Sequence, residues 1–171
     1  YLKARNLQGV QMITSDAHKG LVASIKKSFT NVSWQRCQVH FLRNIFASIP
    51  KKDSVAFREQ IKALFKFTDI DIARKTKAKI TETYIDDRKY KTACTILDEG
   101  FEDAFQYITS GGRNSRLRST NLLERLNEEL RRRERIIRIF PNVSSANRLI
   151  GALLIDQSEQ WEYAARNYIK M

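Results

Sequence analysis

The chain has 171 residues, enough for one domain of ordinary size or one core carrying a smaller inserted module. At 42% hydrophobic it can bury a real core, which excludes a wholly disordered chain. Its 31 Lys and Arg against 19 Asp and Glu leave a net charge of +12, so the partner class is polyanionic, either nucleic acid or an anionic membrane surface. The opening Tyr1-Leu2-Lys3-Ala4-Arg5 is neither a signal peptide nor a methionine start and reads as the interior of a longer chain. Six glycines and two prolines leave little punctuation, so long helices should dominate. Val10 to Thr14 is a short apolar-rich run stopping at Ser15-Asp16, which reads as a buried strand. After Gly20, Leu21, Val22, Ile25 and Phe29 recur at helical spacing with Lys26 and Lys27 opposite. Val32 to Cys37 reads as a second strand. Val39, Leu42, Ile45, Phe46 and Ile49 then mark a helix that Pro50 stops.

Residues 51 to 110 read as an all-helical module with a mixed-charge surface. Phe57, Ile61, Leu64 and Phe65 form one stripe, and Ile72, Thr76, Ile80 and Tyr84 a second. Tyr90, Ala93, Leu97, Phe101, Ala104, Phe105 and Ile108 form a third, which Gly100 is expected to kink or divide. Ser110-Gly111-Gly112-Arg113-Asn114-Ser115 is loop chemistry and a candidate boundary. A helix opens at Asn121 with Glu124 three residues on, an Asn variant of the capping arrangement. Leu122, Leu123, Leu126 and Leu130 are its apolar stripe, expected to face a core. Phe140-Pro141-Asn142 closes the segment after that helix. A last amphipathic stretch runs through Leu149, Ile150, Leu153, Leu154, Trp161, Ala165 and Tyr168.

Three features could carry chemistry. Asp16 directly follows the first strand, where a scaffold can fix a carboxylate for metal binding; a turn or helix-cap aspartate is the bland reading. On the Asn121 helix, Glu124, Asn127, Glu128 and Arg131 share one face at i, i+3, i+4 and i+7. Between Arg113 and Arg138 stand nine arginines and no lysine, against four glutamates. Arginine alone favours planar, bidentate phosphate contacts, whereas a solvated surface laced with ion pairs would use lysine equally well. The third feature is Cys37-Gln38-Val39-His40. Cys-x-x-His can supply two zinc ligands, but a structural site needs four, and His18 and Cys94 stand at no matching spacing. The pair is therefore expected to pack near the base of the core, hydrogen-bonded and without zinc. With no orienting third group or oxyanion hole in view, cysteine-protease chemistry is weaker still. Two cysteines also rule out a disulfide scaffold and suit a reducing cytosol, and no apolar run approaches the ~20 residues of a membrane span.

Ser15-Asp16-Ala17-His18-Lys19-Gly20-Leu21, Trp34-Gln35-Arg36-Cys37-Gln38-Val39-His40, and Thr120-Asn121-Leu122-Leu123-Glu124-Arg125-Leu126-Asn127 with Arg131-Arg132-Arg133 and Phe140-Pro141-Asn142 occur in this order. Together they closely resemble the Mutator-type bacterial insertion-sequence transposases, over essentially the whole chain. The resemblance implies an α/β, mainly helical fold: a partial ribonuclease-H-like core interrupted by an all-helical insertion. On that reading, residues 1–50 are the first part of the core, 51–112 the insertion and 113–171 the second part. It implies a DDE carboxylate triad in which Asp16 is the second Asp and Glu124 the Glu, both metal ligands, with magnesium as the ion and manganese as the alternative. The first Asp is expected upstream of Tyr1, so the chain alone is expected not to catalyse transposition. Cys37 and His40, with His18, Asn121 and Asn127, match family motif positions whose role stays open.

The implied activity is metal-dependent DNA cleavage at element ends followed by strand transfer, inside a bacterial, nucleoid-associated homo-oligomer. Element ends and target duplex would be the DNA partners. Arg125, Arg131, Arg132 and Arg133 are the expected DNA contacts, with Lys19, Lys26 and Lys27 as helpers. Asp16 and Glu124 should converge with carboxyl oxygens roughly 4–8 Å apart, as bridging through one or two ions requires. Glu128, one turn later, is the rival ligand. Two competing readings remain: a non-enzymatic basic helical DNA-binding module, in which Asp16 is a cap and Glu124 pairs with arginine, and a protein-interaction scaffold.

Overall fold

Two short strands, β1 (Met12–Ser15) and β2 (Ser33–Arg36), pair in parallel, with Met12 opposite Ser33 and Ser15 opposite Arg36. Parallel neighbours need a crossover, which α1 (Lys19–Ser28) supplies. The computed structural model describes residues 3–52, 54–111 and 115–163; Arg113, Ala165 and Tyr168 of the sequence reading lie outside them. Among the described residues, β1 pairs only with β2, so the sheet has two strands. The fold is α/β and mainly helical.

Five further helices follow the sequence periods closely. They are α2 (Gln38–Ala47), α3 (Val55–Leu64), α4 (Ile70–Tyr84), α5 (Lys91–Thr109) and α6 (Asn121–Ile137); α7 (Val143–Tyr163) closes the described chain. Asp69 caps α4 by accepting from the amides of Asp71 (2.8 Å) and Ile72 (3.0 Å), a cap worth about 1 kcal/mol. The aromatic stripes meet as sequence spacing predicts. Phe41 of α2, Phe57 of α3 and Phe101 and Phe105 of α5 are fully buried in one cluster, with Phe57 stacked on Tyr90 at 4.7 Å and Phe101 on Phe105 at 4.5 Å. On α4 the buried face is Ala73 and Ile80, while Ile72 is about half exposed, so the stripe is rotated from the one the apolar spacing suggested.

Gly100 neither kinks nor divides α5, which runs unbroken through it. A side chain there would collide with the Arg36 guanidinium and with the Phe41 ring, 2.7 Å from an ideal Cβ. The glycine is a close-approach residue, and it lets α5 lie against β2 and α2. Arg36 fills the space over it, 4.1 Å above the Phe41 ring. Burial holds the Arg36 pKa below the ordinary guanidinium value, although Asp103 and Glu99 oppose that shift.

The chain divides into two compact units, Tyr1–Thr120 and Asn121–Met171. A 3-10 turn at Ser115–Arg118 belongs to the first, where the Thr14 hydroxyl donates to the Leu117 carbonyl at 2.6 Å. The second contains α6 and α7. Arg138, at φ 61°, ends α6, and the Asn142 side chain accepts from the Ser145 amide at 2.8 Å to start α7. The leucine stripe of α6 does not enter a core: no described residue of α6 or α7 is buried, and Leu123 is 56% exposed.

Candidate functional site

Parallel pairing sets the carboxyl ends of β1 and β2 side by side. Asp16 leaves β1; Cys37 leaves β2 and stands at the N-cap of α2; His40 sits within the first turn. The two exits are tied together. The Cys37 amide donates to the Ser15 carbonyl at 2.9 Å, the Trp34 indole donates to the Ser15 hydroxyl at 2.9 Å, and that hydroxyl donates to the Asp16 carbonyl at 2.9 Å.

Cys37 and His40 therefore do not sit at the base of the core. Side chains leaving the same ends of two parallel strands must meet, and these meet Asp16. His40 Nδ1 is 2.6 Å from Asp16 Oδ1 and 3.3 Å from Cys37 Sγ, and the three donor atoms lie within 4.8 Å of one another. Cys37 is fully buried, whereas the His40 and Asp16 side chains are 32% and 51% exposed. Thr120 completes the thiol's surroundings, its hydroxyl 3.4 Å and its donating amide 3.5 Å from Sγ. Burial pushes the Cys37 thiol up, but hydrogen bonds from Thr120 and His40 outweigh it and bring the pKa below the ordinary thiol value.

This is not a nucleophilic triad. In such a relay the thiol and the carboxylate engage opposite ring nitrogens; here both converge on Nδ1, and the sulfur has no access to solvent. Arg43 Nη1 stands 3.4 Å from Nε2, on the side of the ring away from Asp16 and Cys37.

The other polar residues of the Cys37 motif are structural. Gln35 is fully buried, and its amide donates to the carbonyls of Ala104 and Arg36, both at 2.7 Å. Its oxygen accepts from the Tyr107 amide at 2.7 Å, while Gln38 donates to Ala104 at 2.8 Å. These two glutamines stitch β2 and α2 to α5. Sequence reasoning passed over them, although two glutamines three apart, spanning the junction of a strand and a helix, were the available signal.

His18 is exposed at the N-cap of α1 and makes no side-chain capping bond; Lys19, Lys26 and Lys27 are exposed on α1. On α6, Asn121, Arg125, Asn127, Arg131, Arg132 and Arg133 are exposed, Glu124 is half-buried and Glu128 exposed. Glu129 takes Arg132 in a two-point pair (2.7 and 2.8 Å) and Arg133 at 2.9 Å. Those bonds, Arg132's first, bring the Glu129 pKa down to about 2. Two of the four arginines expected on DNA are thus engaged along their own helix. Arg125 and Arg131 form no ion pair among the described residues.

A half-exposed carboxylate thus stands at a parallel strand end in a strongly basic α/β chain, beside the Ser15–Leu21 and Trp34–His40 motifs. The family model described as "Transposase, Mutator family" matches residues 1–164, and the chain belongs to that family of insertion-sequence transposases. It is 64% identical over 169 residues to the transposase for insertion sequence element IS256 in transposon Tn4001 of Staphylococcus aureus, covering 99% of this chain and 43% of that protein. It is 38% identical over 171 residues to the transposase for insertion sequence element ISRM5 of Rhizobium meliloti, covering 99% and 42%. Against the transposase for insertion sequence element IS1081 of Mycobacterium tuberculosis the identity is 34% over 161 residues, covering 94% and 38%. The chain spans less than half the length of these relatives. Among the described residues, no helix is long and apolar enough to cross a membrane.

Proposed function

We propose that this chain is the part of a DDE transposase that carries the second Asp and the Glu of a ribonuclease-H-like catalytic core, with Asp16 and Glu124 as those two carboxylates. On this reading residues 51–112 are the helical insertion between core segments 1–50 and 113–171. The observation that carries it is Asp16: a half-exposed carboxylate rooted at the end of a paired strand, in a chain of the Mutator family. A carboxylate oxygen suits a hard divalent ion such as magnesium or manganese, so Asp16 and Glu124 are the residues that would hold the metal. When bound, a divalent pair supplies activation of the attacking water or 3′-hydroxyl and stabilisation of the leaving oxygen.

The remaining work falls to the chain itself. The β1–β2 pairing and the Ser15 bonds fix the backbone at Asp16 before any ion arrives, and His40 Nδ1, 2.6 Å from Oδ1, orients the carboxylate itself. Arg125 and Arg131 contact phosphate directly, and Arg132 and Arg133 do so after exchanging Glu129 for DNA. Lys19, three residues past Asp16, adds charge beside the strand end. Such contacts position the duplex without reading its sequence. Thr120, which bonds Cys37, immediately precedes the helix that bears Glu124 in the chain.

The test uses the full-length transposase with element-end DNA and magnesium. Asp16→Asn and Glu124→Gln should each abolish strand cleavage while leaving DNA binding largely intact, and Glu128→Gln should cleave. Arg125→Ala and Arg131→Ala should weaken binding and reduce the salt slope by about 0.9 for each phosphate no longer neutralised. A Glu124→Gln protein that cleaves normally beside a dead Glu128→Gln would move the third carboxylate. A protein that binds DNA but ignores both Asp16→Asn and divalent metal would be the basic DNA-binding module instead.

A further inference from the structure

We infer that Asp16, Cys37 and His40 form a second kind of metal site, one for a soft divalent ion of the zinc type. The site shares Asp16 with the proposed DNA reaction but stands without it.

The donor set is sulfur, imidazole nitrogen and carboxylate oxygen, which favours zinc or cobalt over magnesium. The distances fit. Donors around a tetrahedral zinc stand roughly 3.3–3.6 Å apart, from bond lengths of about 2.0–2.3 Å. Cys37 Sγ and His40 Nδ1 are already 3.3 Å apart, and the 2.6 Å pair of His40 and Asp16 needs to open by under about 1 Å. Sγ, Nδ1 and Oδ1 all lie within 4.8 Å of one another, close enough for one ion to gather them after small side-chain movements. The ligands are also supported from outside. The Thr120 amide and hydroxyl lie against the sulfur, and the Cys37 amide is pinned to Ser15. Asp16 and His40 reach solvent, so the ion has an entry path and an open fourth position.

Protons balance simply. Binding expels the Cys37 thiol proton to solvent. Ligation through Nδ1 requires the neutral His40 ring to carry its hydrogen on Nε2, which turns Arg43 away from the ring. Because Asp16 is shared, a soft ion held here withdraws that carboxylate from magnesium, so the two ions compete.

The experiment titrates the 171-residue protein, reduced and metal-free, with cobalt(II). The expected result is one equivalent bound, with a near-ultraviolet sulfur-to-cobalt band and the strong visible bands of a tetrahedral ion, both bleached by zinc but not by equimolar magnesium. Cys37→Ser should remove the sulfur band. His40→Ala and Asp16→Asn should each weaken binding by at least about tenfold, since even outer-shell partners cost that much. Cys94→Ser should change nothing, and in Glu124→Gln the sulfur-to-cobalt band should persist, so loss of DNA chemistry in that variant leaves this result untouched. Circular dichroism reports whether each variant folds, and His40→Ala carries the test if Cys37→Ser does not. A folded protein that gives no sulfur band, or a band that persists in Cys37→Ser or is unaffected by His40→Ala, overturns the proposal.

Discussion

Thr120 separates two stretches that are held together differently. Before it, α2, α3 and α5 bury Phe41, Phe57, Leu97, Phe101 and Phe105 completely, and polar bonds from Gln35 and Gln38 lock the small sheet to α5. After it, α6 and α7 bury no described residue, and Ile139, Val143 and Tyr163 are more than three-quarters exposed. The first stretch is stabilised by tertiary burial. The helix that bears Glu124 relies on its own Leu, Glu and Arg propensities and on the Glu129 pairs with Arg132 and Arg133. Hence the two proposed carboxylates are positioned by different physics. Asp16 inherits the rigidity of a packed core, whereas Glu124 stands half-buried on a helix none of whose described residues is buried.

The largest expected effect breaks that comparison in one direction. Phe101→Ala removes a fully buried ring stacked on Phe105 and should cost about 3–5 kcal/mol in urea unfolding of the first stretch. Leu123→Ala, at a position 56% exposed, should stay within about 0.5 kcal/mol. Equal costs at the two positions would mean that α6 packs as tightly as α5. Next in size is Gly100→Ala, whose added methyl must displace Phe41 and Arg36; it should lower stability by about 1–3 kcal/mol despite the better helix propensity of alanine. A stabilised Gly100→Ala protein would show that α5 has room to move away from β2 and α2.

The smallest effect sharpens the other side. Glu129 keeps its charge down to a pKa of about 2, against an ordinary value of 4.5. A depressed folded pKa contributes stability that is fully present above the ordinary value and is lost as pH falls through the folded one. The Glu129 pairs should therefore hold α6 from neutral pH down past 4.5 and fail only as pH approaches about 2, read as the carboxyl carbon shift by NMR. High salt should move that midpoint back toward the ordinary value, because the pairs are at the surface. A midpoint near 4.5 in low salt would remove the electrostatic support assigned to α6.

Sequence periodicity located the elements well because burial imposes it. The α3 stripe of Phe57, Ile61 and Leu64 and the α5 stripe of Ala93, Leu97, Phe101 and Ala104 are the buried faces themselves. It failed where the neighbour, and not the stripe, decides. Ile72 lost to Ala73 because α4 presents its small residue to the core, and Gly100 read as a break because the ring that needs its missing side chain lies far away in the chain. The leucines of α6 have regular helical spacing, yet Leu122, Leu126 and Leu130 are only partly buried and Leu123 is exposed, because spacing alone does not complete a core.

The site divides in the same way. The sequence by itself determined the residue types that could ligate or contact phosphate, the charge that calls for a polyanion, and the motif order that marks the Mutator family, since these are properties of composition and spacing. Only the tertiary structure decided that Cys37 and His40 belong with Asp16. Residues 16 and 37 are separated by α1, and no local pattern relates them. Parallel pairing of β1 with β2, in the register that sets Ser15 opposite Arg36, brings both strand exits to one edge and forces thiol, imidazole and carboxylate into contact.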